Sequence, residues 1–398
     1  MKILLACGKY QYGEKSRGLG TEYAAFLPAL KNLGHDVKHF ELWDRYAYSN
    51  YKELNMALLK KIDDYRPDIL FAVPMGYEIW IETLNLLRRE TKTVSVCWTT
   101  DDSWKYKEFS RLIGSSFDLM TTTYGSVLPK YRFDGIENVV LTQWAASSAT
   151  LMNPLPAASC RYDIVFLGTA HGNRASRIRY LQESGLNVTC FGYGWPSGPV
   201  EMEKIPHIFR ESKISLNYNN PSGGNRGGNQ LKARIFEITG SGGLLFTETS
   251  PGLENYFDQK QEIVVFHNDR ELVNLIRQYL SDAESRDQIA FAGHMRTRDH
   301  HTYEMRLGPI LTRAAELVAN KIHLAGLISI PKDFGVKYEL SPSLKVVKAL
   351  VTSLCRLIWG ENRGHRAARR FIFEISWRLF GKKTYTATGY PGRMFPEI

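Results

Sequence analysis

The residues that advertise chemistry sit in a few short turns. Gly168-Thr169-Ala170-His171-Gly172-Asn173-Arg174 closes an apolar run and opens a helical one. Backbone amides at such a helix start, with the helix dipole behind them, favour a phosphate. Arg174 or Arg177 would add a charged clamp; a plain strand-to-helix turn fits the same residues. Asn217 to Gln230 holds four glycines and five asparagines. It is either a flexible surface loop or a cradle whose amides bind a diphosphate. In the helix that follows, Arg234 and Glu237 stand three apart and share a face. That spacing suits a surface ion pair, or a carboxylate beside a phosphate site that grips ribose hydroxyls. Asp101 and Asp102 end another strand, where adjacent acids serve as a base or cap the next helix. Glu14, Lys15 and Arg17 lie in a loop from Gly8 to Gly20. His300 and His301 fall in a long helical stretch, where packing is favoured over catalysis. There is no HExxH and no Asp-x-Asp, and no two of the five cysteines have CxxC spacing. No metal site, disulfide framework or cofactor is expected.

These turns need strands and helices to hold them. Apolar runs at 2–7, 36–42, 68–73, 93–98, 117–122 and 138–141 alternate with helical patterns at 21–33, 51–65 and 76–90. Leu4-Leu5-Ala6-Cys7 looks like a lipoprotein cleavage site, but with six residues before the cysteine it reads as a buried first strand. Asn153 to Ser159, with two prolines and small residues, reads as a linker. The pattern then restarts with strands at 162–168, 187–192, 213–218, 243–247 and 263–267, helices at 174–184 and 231–239, and a long helical stretch from Asp269 to about Asn320. Short buried strands alternating with helices predict parallel sheets covered on both faces. The expected architecture is α/β: two Rossmann-like doubly wound domains, 1–152 and 160–325, facing a cleft, plus a basic tail at 331–398. Ligands would bind beyond the carboxyl ends of the strands.

Residues 231–306 resemble the C-terminal domain of the CgeB-like group of GT-B glycosyltransferases, the family containing spore-maturation proteins. The resemblance is carried by Lys232-Ala233-Arg234-Ile235-Phe236-Glu237, Gly242 to Glu248, Pro251 to Phe257, Glu262 to Phe266, Glu271-Leu272, Arg286, Ala292-Gly293 and His301 to Arg306. It extends more loosely to Val165 to Gly168 and Asp101-Asp102-Ser103. It implies transfer of a sugar, hexosyl and with retention, from a nucleotide-diphosphate donor held by the second domain. Glu237 would hold the donor ribose. Related enzymes often have a second glutamate eight positions earlier, where this sequence has Asn229. The donor set is then Thr169, Arg174, Asn229, Lys232, Arg234 and Glu237. The acceptor side would carry Glu14 and Arg17, with Asp101 or Asp102 catalytic. The resemblance also implies that Arg174, Arg177, Arg226, Lys232 and Arg234, not a metal, stabilise the leaving diphosphate.

The net charge of +10 is uneven. Residues 331–398 carry thirteen Lys and Arg against five acids, leaving about +2 for the rest. A nearly neutral body with no recognised module argues against nucleic acid. Leu344, Val347, Leu350, Val351, Leu354, Leu357 and Ile358 form one helical stripe, with Lys345, Lys348 and Arg356 off it. That is a core helix, or an amphipathic helix for an anionic membrane surface. Phe371, Phe373, Ile375, Trp377 and Leu379 alternate as in a strand, yet Arg366, Arg369 and Arg370 also suit an interfacial helix. No apolar run approaches the roughly 20 residues that cross a bilayer. The expectation is a cytoplasmic protein, peripheral at the inner membrane face. It would take a nucleotide-sugar and a polysaccharide, glycolipid or protein acceptor. The competing expectation is a catalytically silent scaffold that binds nucleotide or glycan.

Overall fold

The computed structural model describes residues 1–44, 46–219, 230–321 and 328–396. The chain forms two compact units: Met1–Thr142 with Pro309–Ile398, and Gln143–Gly308.

The first unit is built on six parallel strands: β1 Lys2–Cys7, β2 Asp36–Glu41, β3 Ile69–Ala72, β4 Val94–Trp98, β5 Leu119–Thr122 and β6 Val139–Leu141. Their order is β2-β1-β3-β4-β5-β6. Ile3 to Cys7 and Ile69 to Val73 are wholly buried, as strands covered on both faces must be. The second unit has five parallel strands: β7 Tyr162–Leu167, β8 Val188–Phe191, β9 Ser212–Asn217, β10 Leu245–Glu248 and β11 Val264–Phe266. Their order, β11-β10-β9-β7-β8, repeats the same winding. In each sheet the first strand lies between the second and the third. The chain therefore reverses direction across the sheet at β1/β3 and at β7/β9, where a crevice opens at the carboxyl ends.

Four elements depart from the sequence pattern. The stretch after Asp269 is three helices, Asp269–Ser281, Ala283–His300 and Tyr303–Asn320. The first break is a cap: Asp282 accepts a hydrogen bond from the Ser285 amide. The helix expected from 76 starts only at Ile81. Before it, Glu78 takes the Gly76 amide at 2.7 Å, and Asn55 takes the Trp80 amide at 2.9 Å. The alternation of residues 371–379 belongs to a helix, Glu361–Phe380. Ala368, Ile372 and Ser376 form its buried row and Phe371, Ile375 and Leu379 an exposed one. The tail stripe is helical, Pro342–Trp359, but it is not core: Val347, Leu350, Leu354, Leu357 and Ile358 are exposed, and Cys355 is buried instead.

The tail is nevertheless built into the first unit. Arg370 forks onto Glu108 at 3.1 and 2.8 Å, Tyr385 donates its hydroxyl to the Glu108 carbonyl, and Tyr338 donates to the Gly392 carbonyl at 3.0 Å. The helices Pro342–Trp359 and Glu361–Phe380 pack on each other around Cys355, Ala368 and Ile372.

Gly364 sets the approach of those two helices. A Cβ there would lie 2.5 Å from the Arg356 Cα and 2.7 Å from its backbone nitrogen. Glycine-to-alanine in a helix interior ordinarily stabilises by about 0.5–1 kcal/mol. Overpacking costs about 1–3 kcal/mol, so the sign should reverse. Gly364→Ala is expected to speed amide hydrogen exchange across 342–380. Slower exchange would show that the helices do not approach so closely.

Candidate functional site

The carboxyl ends of β7 and β9 bring together four of the residues expected to hold a donor. Arg174, first residue of the helix Arg174–Glu183, is buried and points back under its own turn. It donates to the Thr169 carbonyl at 3.1 Å and the Tyr218 carbonyl at 3.4 Å. Arg234 comes from the first turn of the helix Ala233–Gly240, which follows the loop after β9. The two guanidinium carbons lie 5.5 Å and 5.9 Å from the Phe166 ring centroid. A Cβ on residue 168 would sit 3.2 Å from both Arg234 Nη atoms, so Gly168 is what lets that side chain in.

Two neighbouring cations in a half-dry site repel. Burial pushes the Arg174 guanidinium down to about 10, and Arg234 adds to the push. Burial lowers Arg234 as well, opposed by Glu237. The Nε atoms of both arginines are buried and find no acceptor among the described residues. Lys232, at the cap of the Arg234 helix, joins them: burial and then Arg174, Lys232 and Arg234 lower the His171 imidazole. His171 is thus ringed by three cations. The Glu237 carboxylate makes no hydrogen bond or ion pair with a described residue, and burial raises it against the pull of Arg234. Excess positive charge on fixed donors, at a helix start, beside one desolvated carboxylate, suits a diphosphate with a diol nearby. The Thr169 side chain is exposed, and only its carbonyl bonds within this group.

Arg177 does not belong to this set. It shares a helix face with Arg174, but it is bound to Glu248 and, at 2.6 Å, to Asp269. It lies 4.2 Å over the Tyr218 ring. Such a pairing leaves little for a ligand. Asn229, Arg226 and the rest of 220–229 lie outside the described residues. Arg286 and His301, which also carry the resemblance, are structural. Arg286 is fully buried and donates to the carbonyls of Leu155, Ser212 and Lys213, each at 2.8 Å. His301 Nε2 is 2.7 Å from the Tyr256 carbonyl, and burial lowers the imidazole to about 4.

In the first unit the two aspartates part company. Asp102 is buried and saturated: Thr99 and Tyr131 donate to it at 2.9 and 2.7 Å, and Ser110 donates as well. Burial raises its carboxyl despite those donors. It ties the strand end to the segments that follow and cannot meet a substrate. Asp101 is half-exposed in the left-handed region, φ 61 and ψ 32, and its side chain does not cap the short helix Asp102–Lys105. A non-glycine residue held there costs of order 1 kcal/mol, and such residues gather at working sites. Tyr12 has the same backbone region, φ 55. Burial, then Asp101 and Glu22, raises its phenol, so the three groups are electrostatic neighbours. Glu14 and Arg17 pair with each other, so neither presents an isolated charge.

Three contributors escaped the sequence pattern. Glu22 reads as an ordinary first-turn acid, yet burial raises it, with Asp101 adding and Lys105 opposing. His171 stood within the quoted turn, with no charge pattern to single it out. Glu78 follows β3, and only the strand order puts it beside the loop after β1.

Residues 174–312 match the family model described as Glycosyl transferase-like, a span that contains Arg174, Arg234 and Glu237. No curated protein matches the sequence. Among solved structures, the chain is similar to a sucrose-phosphate synthase from Thermosynechococcus elongatus, at 11% identity and TM-score 0.55, over 80% of this chain and 100% of that one. It is similar to a glycosyltransferase from Rickettsia africae ESF-5, at 13% identity and TM-score 0.55, over 80% and 99%. It is also similar to the DNA modifying enzyme beta-glucosyltransferase, at 12% identity and TM-score 0.52, over 79% and 100%. At these identities the likeness is one of fold. Two parallel, Rossmann-like units of this kind are the GT-B fold.

A bound diphosphate would offset the three cations around His171 and raise its pKa toward, or above, the ordinary 6.5. A ligand that raises a pKa binds more tightly as pH falls through the shifted range. Affinity for a nucleotide-sugar is therefore expected to rise on going from about pH 8 to about pH 5.5, with the rise absent in His171→Asn. Proton uptake measured by calorimetry in two buffers checks this; equal pH profiles for both proteins would remove His171 from the site.

Proposed function

We propose that this chain is a glycosyltransferase of the CgeB-like type that residues 231–306 resemble. It moves a hexosyl group from a nucleoside-diphosphate sugar to a hydroxyl of a cell-surface polysaccharide, glycolipid or protein. The observation that carries this reading is the Arg174–Arg234 pair, two guanidiniums crowded at one sheet edge beside Glu237, whose carboxylate pairs with no described residue. Glu237 takes the ribose hydroxyls. Arg174, at the start of the helix that follows the Gly168–Asn173 turn, takes the diphosphate with Lys232 and Arg234. As the bond from the anomeric carbon to the β-phosphate oxygen breaks, negative charge grows on that oxygen, and these cations meet it without a metal. The match of residues 174–312 to a glycosyl transferase-like model supports the same assignment. UDP-glucose is a sensible first donor, because the structure of the DNA modifying enzyme beta-glucosyltransferase was determined with and without it.

We propose retention, following the resemblance around Glu237. The acceptor hydroxyl then approaches on the face the leaving group departs from. In that course the departing phosphate oxygen takes its proton. A screen of UDP-, GDP- and dTDP-sugars, with the product's anomeric configuration read by NMR, tests the activity. Binding without turnover would favour the silent scaffold, and an inverted product would overturn retention. Losing a charged hydrogen bond typically costs about 1.5–3 kcal/mol. Glu237→Ala is thus expected to weaken nucleotide binding by roughly 10- to 150-fold, measured by calorimetry. Unchanged affinity in the folded variant would sink the ribose assignment.

The tail is proposed to hold the protein on an anionic lipid surface at the inner membrane face. Among the described residues, no helix is long and apolar enough to cross a membrane. The exposed row of Pro342–Trp359 instead offers large apolar side chains to solvent, Leu357 being 85% exposed, and Leu379 of the second tail helix is 71% exposed. Lys345, Arg356, Arg363, Arg378, Lys382 and Lys383 are exposed in the same two helices and the turn after them. Each basic residue near an anionic surface contributes on the order of 1 kcal/mol. The full chain is expected to sediment with phosphatidylglycerol vesicles, and Leu354→Glu with Leu357→Glu to abolish this while leaving the fold intact. Equal sedimentation of the double variant would refute this face as the anchor.

A further inference from the structure

The first unit contains a cavity of about 440 Å³ at the β1/β3 reversal. Tyr12, Glu14 and Arg17 line it from the loop after β1, Gly76 to Glu78 from the loop after β3, and Lys105 from the segment after β4. Its remaining wall is the tail helix Glu361–Phe380, through Arg366, Arg369, Arg370 and Phe373. Volumes of roughly 300–1,000 Å³ are those of small-molecule sites.

The charges in this cavity do not cancel. Arg370 is committed to Glu108 and Glu374, and Arg17 to Glu14. Three cations remain. Arg369 makes no hydrogen bond or ion pair with a described residue and acts on Glu78 and Tyr51 only through its field. Among the described residues Lys105 makes one side-chain hydrogen bond, to the Thr100 hydroxyl at 3.5 Å, and lies 5.3 Å over the Trp104 ring. Arg366 stands 3.8 Å from Glu14, which Arg17 already holds. Against them stands Glu78, buried and taking the Gly76 amide, while Lys105 also acts on Glu22 through its field. Burial raises its carboxyl, with Lys105 and Arg369 pulling it down. Trp43, Tyr77 and Phe373 line the same cavity, flat surfaces that suit the apolar face of a sugar ring.

We propose that this cavity binds a saccharide bearing a phosphate or carboxylate, with Arg366 and Arg369 on the anionic group and the aromatic side chains on the ring. Guanidinium groups suit either anion because their paired N–H groups match two oxygens at once. The ligand's being a saccharide, and the acceptor, rests on the glycosyltransferase reading; the anion site does not.

The experiment titrates glucose 6-phosphate, glucuronic acid and glucose into the full chain, followed by ligand-observed NMR, with UDP titrated into the same samples. At least one charged probe is expected to bind roughly tenfold or more tightly than glucose. Arg366→Ala, at an exposed position that should leave folding unchanged, and Arg369→Gln should each remove most of that difference without changing UDP affinity. Preference for glucose 6-phosphate would identify a phosphorylated glycan, and preference for glucuronic acid a uronic one. Equal binding of all three probes, or of none, overturns the proposal. So does loss of the charged probe in Arg234→Gln but not in Arg369→Gln, which would place it in the donor site. If UDP does not bind while the charged probe binds through Arg369, the glycosyltransferase reading fails and the anion site stands. If UDP binds and no charged probe does, the reverse holds.

Discussion

A parallel sheet buried on both faces has only its strand ends free for chemistry, and the rest of this molecule follows from that constraint. Strands such as Ile3–Cys7 have no accessible side chain to offer. Each sheet's winding opens a gap at one place, between β1 and β3 and between β7 and β9. The crowded arginines lie at the second gap and the polar cavity at the first. Both reversals place sequence-distant loops side by side: residues 168–174 with Tyr218, and the Gly8–Gly20 loop with Gly76–Glu78.

What separates a binding arginine from a structural one here is its company. Arg174 and Arg177 lie on one helix face, one turn apart. Arg177 meets Glu248 and Asp269 and is neutralised; Arg174 meets backbone carbonyls and another cation. A buried ion pair is costly to break, so Arg177 holds the strand ends in place. A buried cation beside another cation is instead a standing demand for an anion. The same contrast divides Asp102, enclosed by three hydroxyl donors, from Asp101, which turns outward on a strained backbone. Structure at one residue of each pair lets its neighbour act.

This also explains what was legible in the sequence. The alternation of strands and helices was readable from apolar runs, because a strand buried on both faces has no other way to be spelled. The turn at Gly168–Arg174 and the helix that carries Arg234 and Glu237 were readable from local spacing. The distinction between Arg174 and Arg177 was not, because Glu248 and Asp269 are more than seventy residues away along the chain. Glu78 and Arg369 were invisible for the same reason: nothing local marks a residue that matters only through strand order. The aromatic alternation at 371–379 left strand and helix both open, because residues two apart look like strand partners. In the helix that forms, Phe371, Ile375 and Leu379 line one side, and Phe373 turns toward the cavity.

The tail helix Glu361–Phe380 is therefore a two-sided element. Residues four apart share a side, so Arg366, Arg369 and Phe373 wall the cavity, and Phe371, Ile375 and Leu379 form a separate, exposed apolar row. The ion pair from Arg370 to Glu108, and the hydroxyl bond from Tyr385 to the Glu108 carbonyl, fix the rotation of the helix between these two surroundings. A helix held only by its apolar row would be free to roll, carrying the arginines away from Glu78. Glu108 thus does for the tail what Glu248 does for the arginines at the ends of β7 and β9. It spends its charge on one arginine so that the arginines beside it keep theirs.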